Sequence, residues 1–412
     1  IENKKLTEDL PIASEILEKG VNRKVIYLAL FLHDIGKGLP EDHSVAGAKI
    51  AKKVSKRLGL NATDSELVVW LVRHHLLMSD VAQKRDISDP KTVKEFINIV
   101  KSKNRLNLLT VLTVCDIRGV GPQAWNNWKA VLIRQLYTAS IRTLEEGYLA
   151  SSTSSINTAK EMLKNHLKDS QAVFQNEAFD RHYDQFWLGL DTPTQATILS
   201  LIKTLSTNQV LSDIKTDISR SATRACFVMH DHPGIFSRLA GSIALFGSNV
   251  VDARTYTTKD GIATSAFWIQ SKERKPLETF EINKLKTIVK KSLAGEFVTR
   301  DELTEKDKIK LGERDFEIPT TITFDNKGSD IYTIIEVDTR DRLGLLFDLT
   351  RTLSNSNISI SSAIVATYGE QAVDSFYVKD LVGLKIYSEL RQKQITQRLR
   401  DAIEYGAARA MQ

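Results

Sequence analysis

The chain has 412 residues, of which 42% are hydrophobic and 26% are charged, and its net charge is +6. This length exceeds a single ordinary folding core, so we expect several domains. No apolar run approaches the ~20 residues that span a bilayer, which argues against a membrane protein. The lysines and arginines are scattered rather than gathered in one stripe with aromatic residues, so no nucleic-acid partner is expected.

The two cysteines, Cys115 and Cys226, lie far apart in apolar segments. This placement is typical of reduced core thiols, so we expect a cytoplasmic protein. The chain opens at Ile1 in charged sequence without a signal-peptide pattern. Because Ile1 is not an initiator residue, we expect the chain to be a fragment or a processed product.

The residues up to about Glu146 are predicted to form helix after helix. One apolar run, Val25 to Leu32, ends in His33-Asp34 and is followed by a glycine-rich turn and by His43. A helix that ends in this way brings an imidazole and a carboxylate to one point. Imidazole and carboxylate without thiolate suit Mn²⁺, Fe²⁺, Zn²⁺ or Mg²⁺ and argue against a structural zinc cage.

A later helix is predicted to carry a third histidine into the core. Thr63 is a candidate N-cap, and the helix that it opens, Asp64 to about Met78, places His75 on its apolar face. The adjacent His74 lies about 100° away around the helix. Only one of these two histidines is therefore expected to reach the same place as the His-Asp pair.

The segment from Leu106 to Ile117 is apolar nearly all round, which predicts a buried helix with Asp116 at its end. A buried, unpaired carboxylate costs several kcal/mol, so Asp116 should be paired or should bind a metal ion. Two readings stay open: Asp116 completes the metal site of His33 and Asp34, or it caps its frayed helix end or pairs with Arg118.

Together, HDIGKGLPEDHSVAGA from His33, the segment Leu67 to Pro90 and the segment Leu108 to Tyr137 resemble the HD phosphohydrolase superfamily. Within it they are similar to the bacterial PII uridylyltransferase/uridylyl-removing enzyme family. The resemblance implies a hydrolase that uses a divalent metal, Mg or Mn, to remove UMP from a tyrosine of the signalling protein PII. Carried over by position, it implies catalytic roles for Asp34 and Lys37, with Lys37 facing the phosphodiester, and metal ligands at His33, Asp34, His43, His75 and Asp116.

Two features depart from the pattern of the family. Residues 1–32 contain no histidine, although the superfamily normally supplies a further ligand from the helix before the His-Asp pair. The resemblance therefore implies that this ligand lies upstream of Ile1. Uridylyl transfer belongs in the family to a nucleotidyltransferase domain with a Gly-Ser turn and paired aspartates, and neither Gly241-Ser242 nor Gly247-Ser248 is followed by such a pair. That activity is expected in an upstream domain.

The C-terminal half contains an internal repeat. Cys226 to Trp268 aligns without a gap on Glu336 to Val378 at a shift of 110 residues. Each copy predicts a strand, a turn, a helix, two strands joined by a hairpin, and a helix. This order is typical of the ferredoxin-like unit.

A D-x-x-G turn before an apolar helix, present in both copies, resembles the ACT domain, a module that binds amino acids. A glycine permits a close turn into a helix N-terminus, whose free amides suit a carboxylate. The resemblance implies that the pair senses glutamine, with ligand-binding residues Asp231, Gly234, Asp341 and Gly344. Two alternatives are that each turn only caps its helix and that the pair serves for dimerisation or for docking of PII.

The expected fold is multidomain α plus α+β, an all-helical HD domain followed by two ferredoxin-like βαββαβ ACT domains. The expected ranges are the HD domain at 1–146, a helical spacer at 147–219 that includes a loop at 150–157, ACT domains at 220–298 and 330–412, and a charged linker at 299–329. Two other functions remain open: a guanosine tetraphosphate hydrolase, since such proteins also join HD and ACT modules, and a non-catalytic amino-acid-sensing module.

Overall fold

The computed structural model describes residues 11–121, 124–169, 176–207, 209–232, 234–294, 318–368 and 370–410. The chain divides into two compact units, Ile1–Ser151 and Ser152–Gln412. None of the helices within the described residues combines the length and the apolar character that crossing a lipid bilayer requires.

The first unit is helical, as expected. Its helices are α1 (Pro11–Glu18), α2 (Arg23–Leu32), α3 (His43–Arg57), α4 (Ala62–Arg73), α5 (Leu77–Lys84), α6 (Pro90–Val100), α7 (Lys103–Val120) and α8 (Asn127–Glu146). Polar residues cap most of them. The side chain of Asp42, for example, accepts hydrogen bonds from the amides of Ser44 and Val45 at the start of α3.

Three helix boundaries differ from the prediction. The N-cap of α4 is Asn61, not Thr63, because the Asn61 side chain accepts a hydrogen bond from the amide of Asp64. The helix ends at Arg73 rather than near Met78, so His75 lies in the turn before α5. In contrast, α7 continues to Val120, so Asp116 lies within a helix and not at its end.

Helix α9 (Tyr148–Asp169) crosses the division of the chain at Ser151, and the second unit continues with α10 (Asn176–Asp180), α11 (Asp184–Gly189) and α12 (Thr192–Thr204). The loop predicted at residues 150–157 was wrong, since α9 covers this segment. The segment is rich in serine but contains neither glycine nor proline, so nothing in it stops a helix.

After these helices, the described part of the second unit contains one antiparallel sheet of eight strands and four further helices. The strands are β1 (Leu211–Asp217), β2 (Ala222–His230), β3 (Asn249–Thr257), β4 (Ile262–Gln270), β5 (Thr321–Asp325), β6 (Thr333–Arg340), β7 (Ile358–Tyr368) and β8 (Gln371–Asp380), in the order β1-β2-β4-β3-β7-β8-β6-β5. Its helices are α13 (Ile235–Phe246), α14 (Thr279–Leu293), α15 (Leu345–Asn355) and α16 (Glu389–Ala410).

The internal repeat is confirmed strand by strand. Within the first copy β2, α13, β3, β4 and α14 lie where they were predicted, and the second copy repeats them with β6, α15, β7, β8 and α16. The copies join edge to edge through β3 and β7, where Ala253 pairs with its own counterpart in the repeat, Ala363. Side chains on one face of the sheet and the apolar faces of the helices form a common core.

The fourth strand of each copy enters the sheet differently from the expectation. In a βαββαβ unit it follows the second helix, whereas here β1 and β5 precede their copies and pair with β2 and β6 at the outer edges. Residues 211–217 therefore form a strand inside the range expected to be a helical spacer, and residues 321–325 form one inside the expected charged linker. Both are edge strands with few buried side chains, so their sequences lack a continuous apolar face. The domain boundaries themselves stay predictions.

Candidate metal centre

The end of α2 positions the His-Asp pair. Buried side chains of Val25, Ala29 and Leu32 hold this helix in the core of the first unit. His33 follows as the C-cap, and its Nδ1 lies 2.7 Å from the carbonyl oxygen of Leu30, one turn back. Since a carbonyl can only accept, Nδ1 carries a proton, and in the neutral ring Nε2 is left with a lone pair.

A close backbone contact brings His43 to the same place. A side chain on Gly36 would overlap the carbonyl oxygen of His43 and the amide nitrogen of Gly47, so only glycine lets the turn after Asp34 lie directly on the first turn of α3. This contact explains the glycine in the HDxGK pattern. It sets the position of His43, the first residue of α3, relative to the His-Asp pair.

His75 reaches the centre from the turn after α4. It is 1% exposed, and its Nδ1 lies 2.9 Å from the carbonyl oxygen of Val72, so its Nε2 also presents a lone pair. Burial lowers the pKa of His75, which favours the neutral imidazole that binds metal ions. The neighbouring His74 turns instead towards Trp70, with ring centroids 5.1 Å apart.

Three of the predicted ligands form a compact set. His43 Nε2 lies 3.4 Å from His75 Nε2, and Asp34 Oδ1 lies 3.9 Å from the first and 3.7 Å from the second. Two ligand atoms that bind one ion at the usual 2.0–2.2 Å are about 3 to 4 Å apart. Asp34, His43 and His75 therefore match the spacing of three ligands on one cation.

Asp116 lies beside this set. Its Oδ1 is 3.3 Å from His33 Nε2, which is also 3.3 Å from Asp34 Oδ2. The structure thus brings together all five residues that the resemblance implied as ligands. Asp34 belongs both to the set with His43 and His75 and to the set with His33 and Asp116. The contact with His33 also favours the metal-site reading of Asp116 over pairing at a helix end.

The donor atoms fit a divalent cation. Two imidazole lone pairs, those of His33 and His75, converge with the carboxylates of Asp34 and Asp116, and four such acceptors repel one another without positive charge between them. The Nδ1 atoms of His33 and His75 hydrogen-bond to backbone carbonyls, as the second ring nitrogen of a metal-binding histidine usually does. The set contains only nitrogen and oxygen atoms, so it suits Mg²⁺, Mn²⁺, Fe²⁺ or Zn²⁺.

Lys37 lies at the open side of the centre. Its Nζ is 2.6 Å from Asp34 Oδ2 and its side chain is 66% exposed. Burial raises the pKa of Asp34, but the hydrogen bond from Lys37 and the charge of His33 outweigh it and hold that pKa below its ordinary value. Asp116 raises the pKa of His33 despite burial, because it accepts a hydrogen bond from Nε2 of the protonated ring; a cation that binds the Nε2 lone pair takes the place of that proton. Asp34 is therefore an ionised carboxylate at neutral pH.

The second unit holds the other predicted site residues, in two equivalent turns. Gly234 and Gly344 have φ values of 85° and 78°, in the left-handed region that favours glycine, and each begins a helix. Asp231 accepts a hydrogen bond from Thr257 at 2.9 Å, and Asp341 accepts one from Thr367 at 3.4 Å. The threonines are counterparts in the repeat, but a role for them in holding the aspartates was not predicted.

Two family models match the chain, one over the helical unit with the metal centre and one over part of the sheet. The family model described as "HD domain" matches residues 5–116, and that of the "ACR9-like, ACT-like domain" matches residues 321–407. No solved structure matches the chain.

Three curated relatives carry the name bifunctional uridylyltransferase/uridylyl-removing enzyme. The protein from Ruegeria pomeroyi is 56% identical over 100% of this chain and 46% of the relative. Those from Cereibacter sphaeroides and Azospirillum brasilense are 54% and 42% identical, over 100% and 98% of this chain and 44% of each relative. The chain thus spans less than half the length of these relatives. Over its whole length it is a relative of the C-terminal part of the bifunctional uridylyltransferase/uridylyl-removing enzymes, with a helical HD domain followed by an antiparallel sheet that includes an ACT-like domain.

Proposed function

We propose that the first unit hydrolyses the phosphodiester between UMP and a tyrosine of the signalling protein PII. The observation that supports this most is the convergence of His33, Asp34, His43, His75 and Asp116 on one point. The names of the relatives supply the substrate class, since a uridylyl-removing enzyme must release a uridylyl group.

The same five residues would hold the metal, for which Mg²⁺ or Mn²⁺ is the proposed identity. When bound, such an ion neutralises negative charge on a phosphodiester and lowers the pKa of a coordinated water. Asp34 contributes in two ways, because one of its oxygens faces the histidines and the other accepts the hydrogen bond from Lys37.

Lys37 is proposed to bind the phosphodiester and to stabilise the charge that develops on its oxygens during attack by water. Its hydrogen bond to Asp34 raises its pKa, so the ammonium stays charged at neutral pH, and its exposure lets it meet an incoming substrate. The reaction forms a bond from the water oxygen to phosphorus and breaks the bond from phosphorus to the tyrosine oxygen. A phenolate with a pKa near ~10 is a good leaving group and needs little help from a general acid.

Replacement of Asp34 by Asn tests this function. The variant should release no UMP from uridylylated PII, because the amide cannot replace the charge of the carboxylate. His74→Gln is the matched control, since His74 lies next to a ligand in sequence but contacts Trp70, and it should keep full activity. Unchanged UMP release by the Asp34 variant would refute the assignment.

We further propose that glutamine binds the repeat in the second unit and raises hydrolysis in the first. The support is the pair of glycine turns that begin α13 and α15, each with a threonine-held aspartate. Coupling requires that glutamine bind the hydrolytically competent state more tightly, and a typical coupling energy is ~1 to 3 kcal/mol. Gly234→Val should weaken glutamine binding and remove the stimulation, because a β-branched residue cannot adopt the φ of 85° at low cost. Its metal content should stay that of the wild type.

The proposed compartment is the cytoplasm. The half-buried Cys115 and the buried Cys226 are both free thiols, which are typical of a reducing compartment. Burial raises the pKa of Cys115 to about 11 and that of Cys226 to about 12, so neither is a reactive thiolate at neutral pH.

A further inference from the structure

Each glycine turn of the repeat lies beside the first helix of the other copy. The pairing of β3 with β7 relates the copies by an approximate twofold axis at Ala253 and Ala363, and α13 packs against α15. The turn of the first copy therefore meets the end of α15, and the turn of the second copy meets the end of α13. We name these places the first cleft, at Gly234, and the second cleft, at Gly344.

The first cleft is lined by polar side chains. A methyl group placed on Gly234 would lie 3.7 Å from Ser354 Oγ, at the end of α15, and 3.8 Å from Ser237 Oγ. Arg398 of α16 donates a hydrogen bond to Ser356 at 3.3 Å, two residues beyond Ser354. At these distances an added methyl group would be in ordinary van der Waals contact with two hydroxyl groups, one from each copy.

The second cleft is filled by apolar side chains at the equivalent positions. Its cluster consists of Ala244, Leu245 and Phe347, against which Ile288 and Leu343 pack. Through the shift of 110 residues, Ala244 is the counterpart of Ser354, Phe347 of Ser237, and Ile288 of Arg398. Every one of these polar residues of the first cleft thus has an apolar counterpart in the second, and Phe347 is only 5% exposed.

A buried ion pair also fixes the turn of the second cleft. Arg342, between Asp341 and Gly344, donates to Asp348 at 2.6 Å, and the two side chains are 4% and 11% exposed. Gly406 of α16 covers the pair so closely that any side chain there would overlap the guanidinium. The counterparts in the first copy are His232 and Arg238, which are both exposed and both basic, so the two cannot form this acid-base pair with each other.

We propose that the two clefts have divided their roles: the first cleft takes one polar amino-acid ligand per chain, and the second is closed by its own side chains and only holds the copies together. This inference rests on the glutamine control proposed above and adds where the ligand sits. An α-amino acid carries an ammonium, a carboxylate and, in glutamine, an amide, and each loses free energy if it is buried without a hydrogen-bond partner. Ser354 offers such a partner in the first cleft, whereas the apolar cluster of the second offers none.

Calorimetric titration of the full chain with glutamine tests the division. The expected stoichiometry is one glutamine per chain. Ser354→Ala, which installs the residue of the second cleft, should weaken binding about 2- to 10-fold, the usual effect of one lost hydrogen bond. Ser354→Leu should fill the first cleft and abolish detectable binding. The matched change in the second cleft, Ala244→Leu, should lower the melting temperature but leave the stoichiometry and the dissociation constant unchanged.

The outcomes separate this inference from the function on which it rests. Two glutamines per chain, or binding that survives Ser354→Leu and disappears in Ala244→Leu, would overturn the division of roles and leave glutamine sensing intact. No heat with the wild-type chain at millimolar glutamine would overturn both. Melting curves of each variant show whether a lost signal comes from misfolding, and the milder Ser354→Ala then decides.

Discussion

His43 and His75 face each other through their Nε2 atoms at 3.4 Å, while Nδ1 of His75 is bonded to a backbone carbonyl. A neutral His75 can only accept at Nε2, so the contact needs a proton on His43 or a cation between the rings. A cation is the simpler solution, because Asp34 Oδ1 also points there. A cation bound between His43 and His75 should therefore stabilise the folded protein.

Addition of Mn²⁺ to metal-free protein should raise the melting temperature of the first unit. An ion present at 100 times its dissociation constant adds about 2.7 kcal/mol to the free energy of unfolding. His75→Gln should remove most of this increase, whereas His74→Gln should keep it. Thermal melts with chelator and with added Mn²⁺ measure the effect, and an equal shift in both variants would contradict the assignment of His75.

Lys37→Ala should reduce the turnover number and leave the fold intact. The ion pair of Lys37 with Asp34 is exposed on the lysine side, so it contributes little to stability. Loss of a charge placed at a developing oxyanion typically costs about 10²- to 10³-fold in the turnover number. UMP release, metal content and melting temperature should be measured together. A variant that binds metal and keeps its turnover number would show that Lys37 only pairs with Asp34.

Gly36→Ala should disrupt the metal centre, and Gly38→Ala provides the comparison. A methyl group on Gly36 meets the backbone of His43 and Gly47, so α3 must move away from Asp34. Gly38 has a φ of 84° but open space around it, so alanine there costs only backbone strain, roughly 1–2 kcal/mol. Metal titration should show weakened binding for Gly36→Ala alone, and equal affinities in the two variants would contradict the close-contact explanation.

Stability of the second unit should fall as the pH drops below 7, in part because of His182. This side chain is buried and stacks on Phe186 with ring centroids 3.7 Å apart, and burial lowers its pKa to about 4. The unfolded chain, with a pKa near ~6.5, therefore takes up the proton first, and the free energy of unfolding decreases by about 2 kcal/mol between pH 7 and pH 5.

His182→Phe should reduce this loss of stability, while a change at the exposed His166 of α9 should not. Melting temperatures at pH 7 and pH 5 for the wild type, His182→Phe and His166→Gln supply the measurement. An identical pH dependence in all three proteins would show that His182 is not the responsible group.

Sequence patterns predicted the parts of this protein that depend on local chemistry. The repeat, the glycine turns and the His-Asp pair at a helix end could be read because glycine and apolar periodicity act over a few residues. The end of α4 before His75 and the continuation of α7 past Asp116 could not, because tertiary packing decides them. The edge strands β1 and β5 were missed for a different reason: each pairs with the strand that directly follows it, but so few of its side chains are buried that its sequence lacks an apolar face.

The junction at Ala253 and Ala363 has an evolutionary consequence. In a homodimer of a single repeat, any substitution would alter both interfaces at once, so a gain in packing on one side would spoil recognition on the other. Tandem fusion in one polypeptide frees the halves from that constraint. Ser354 and Ala244, which occupy equivalent positions of the repeat, are then free to change independently. Two equivalent clefts can in this way become one ligand site and one purely structural contact.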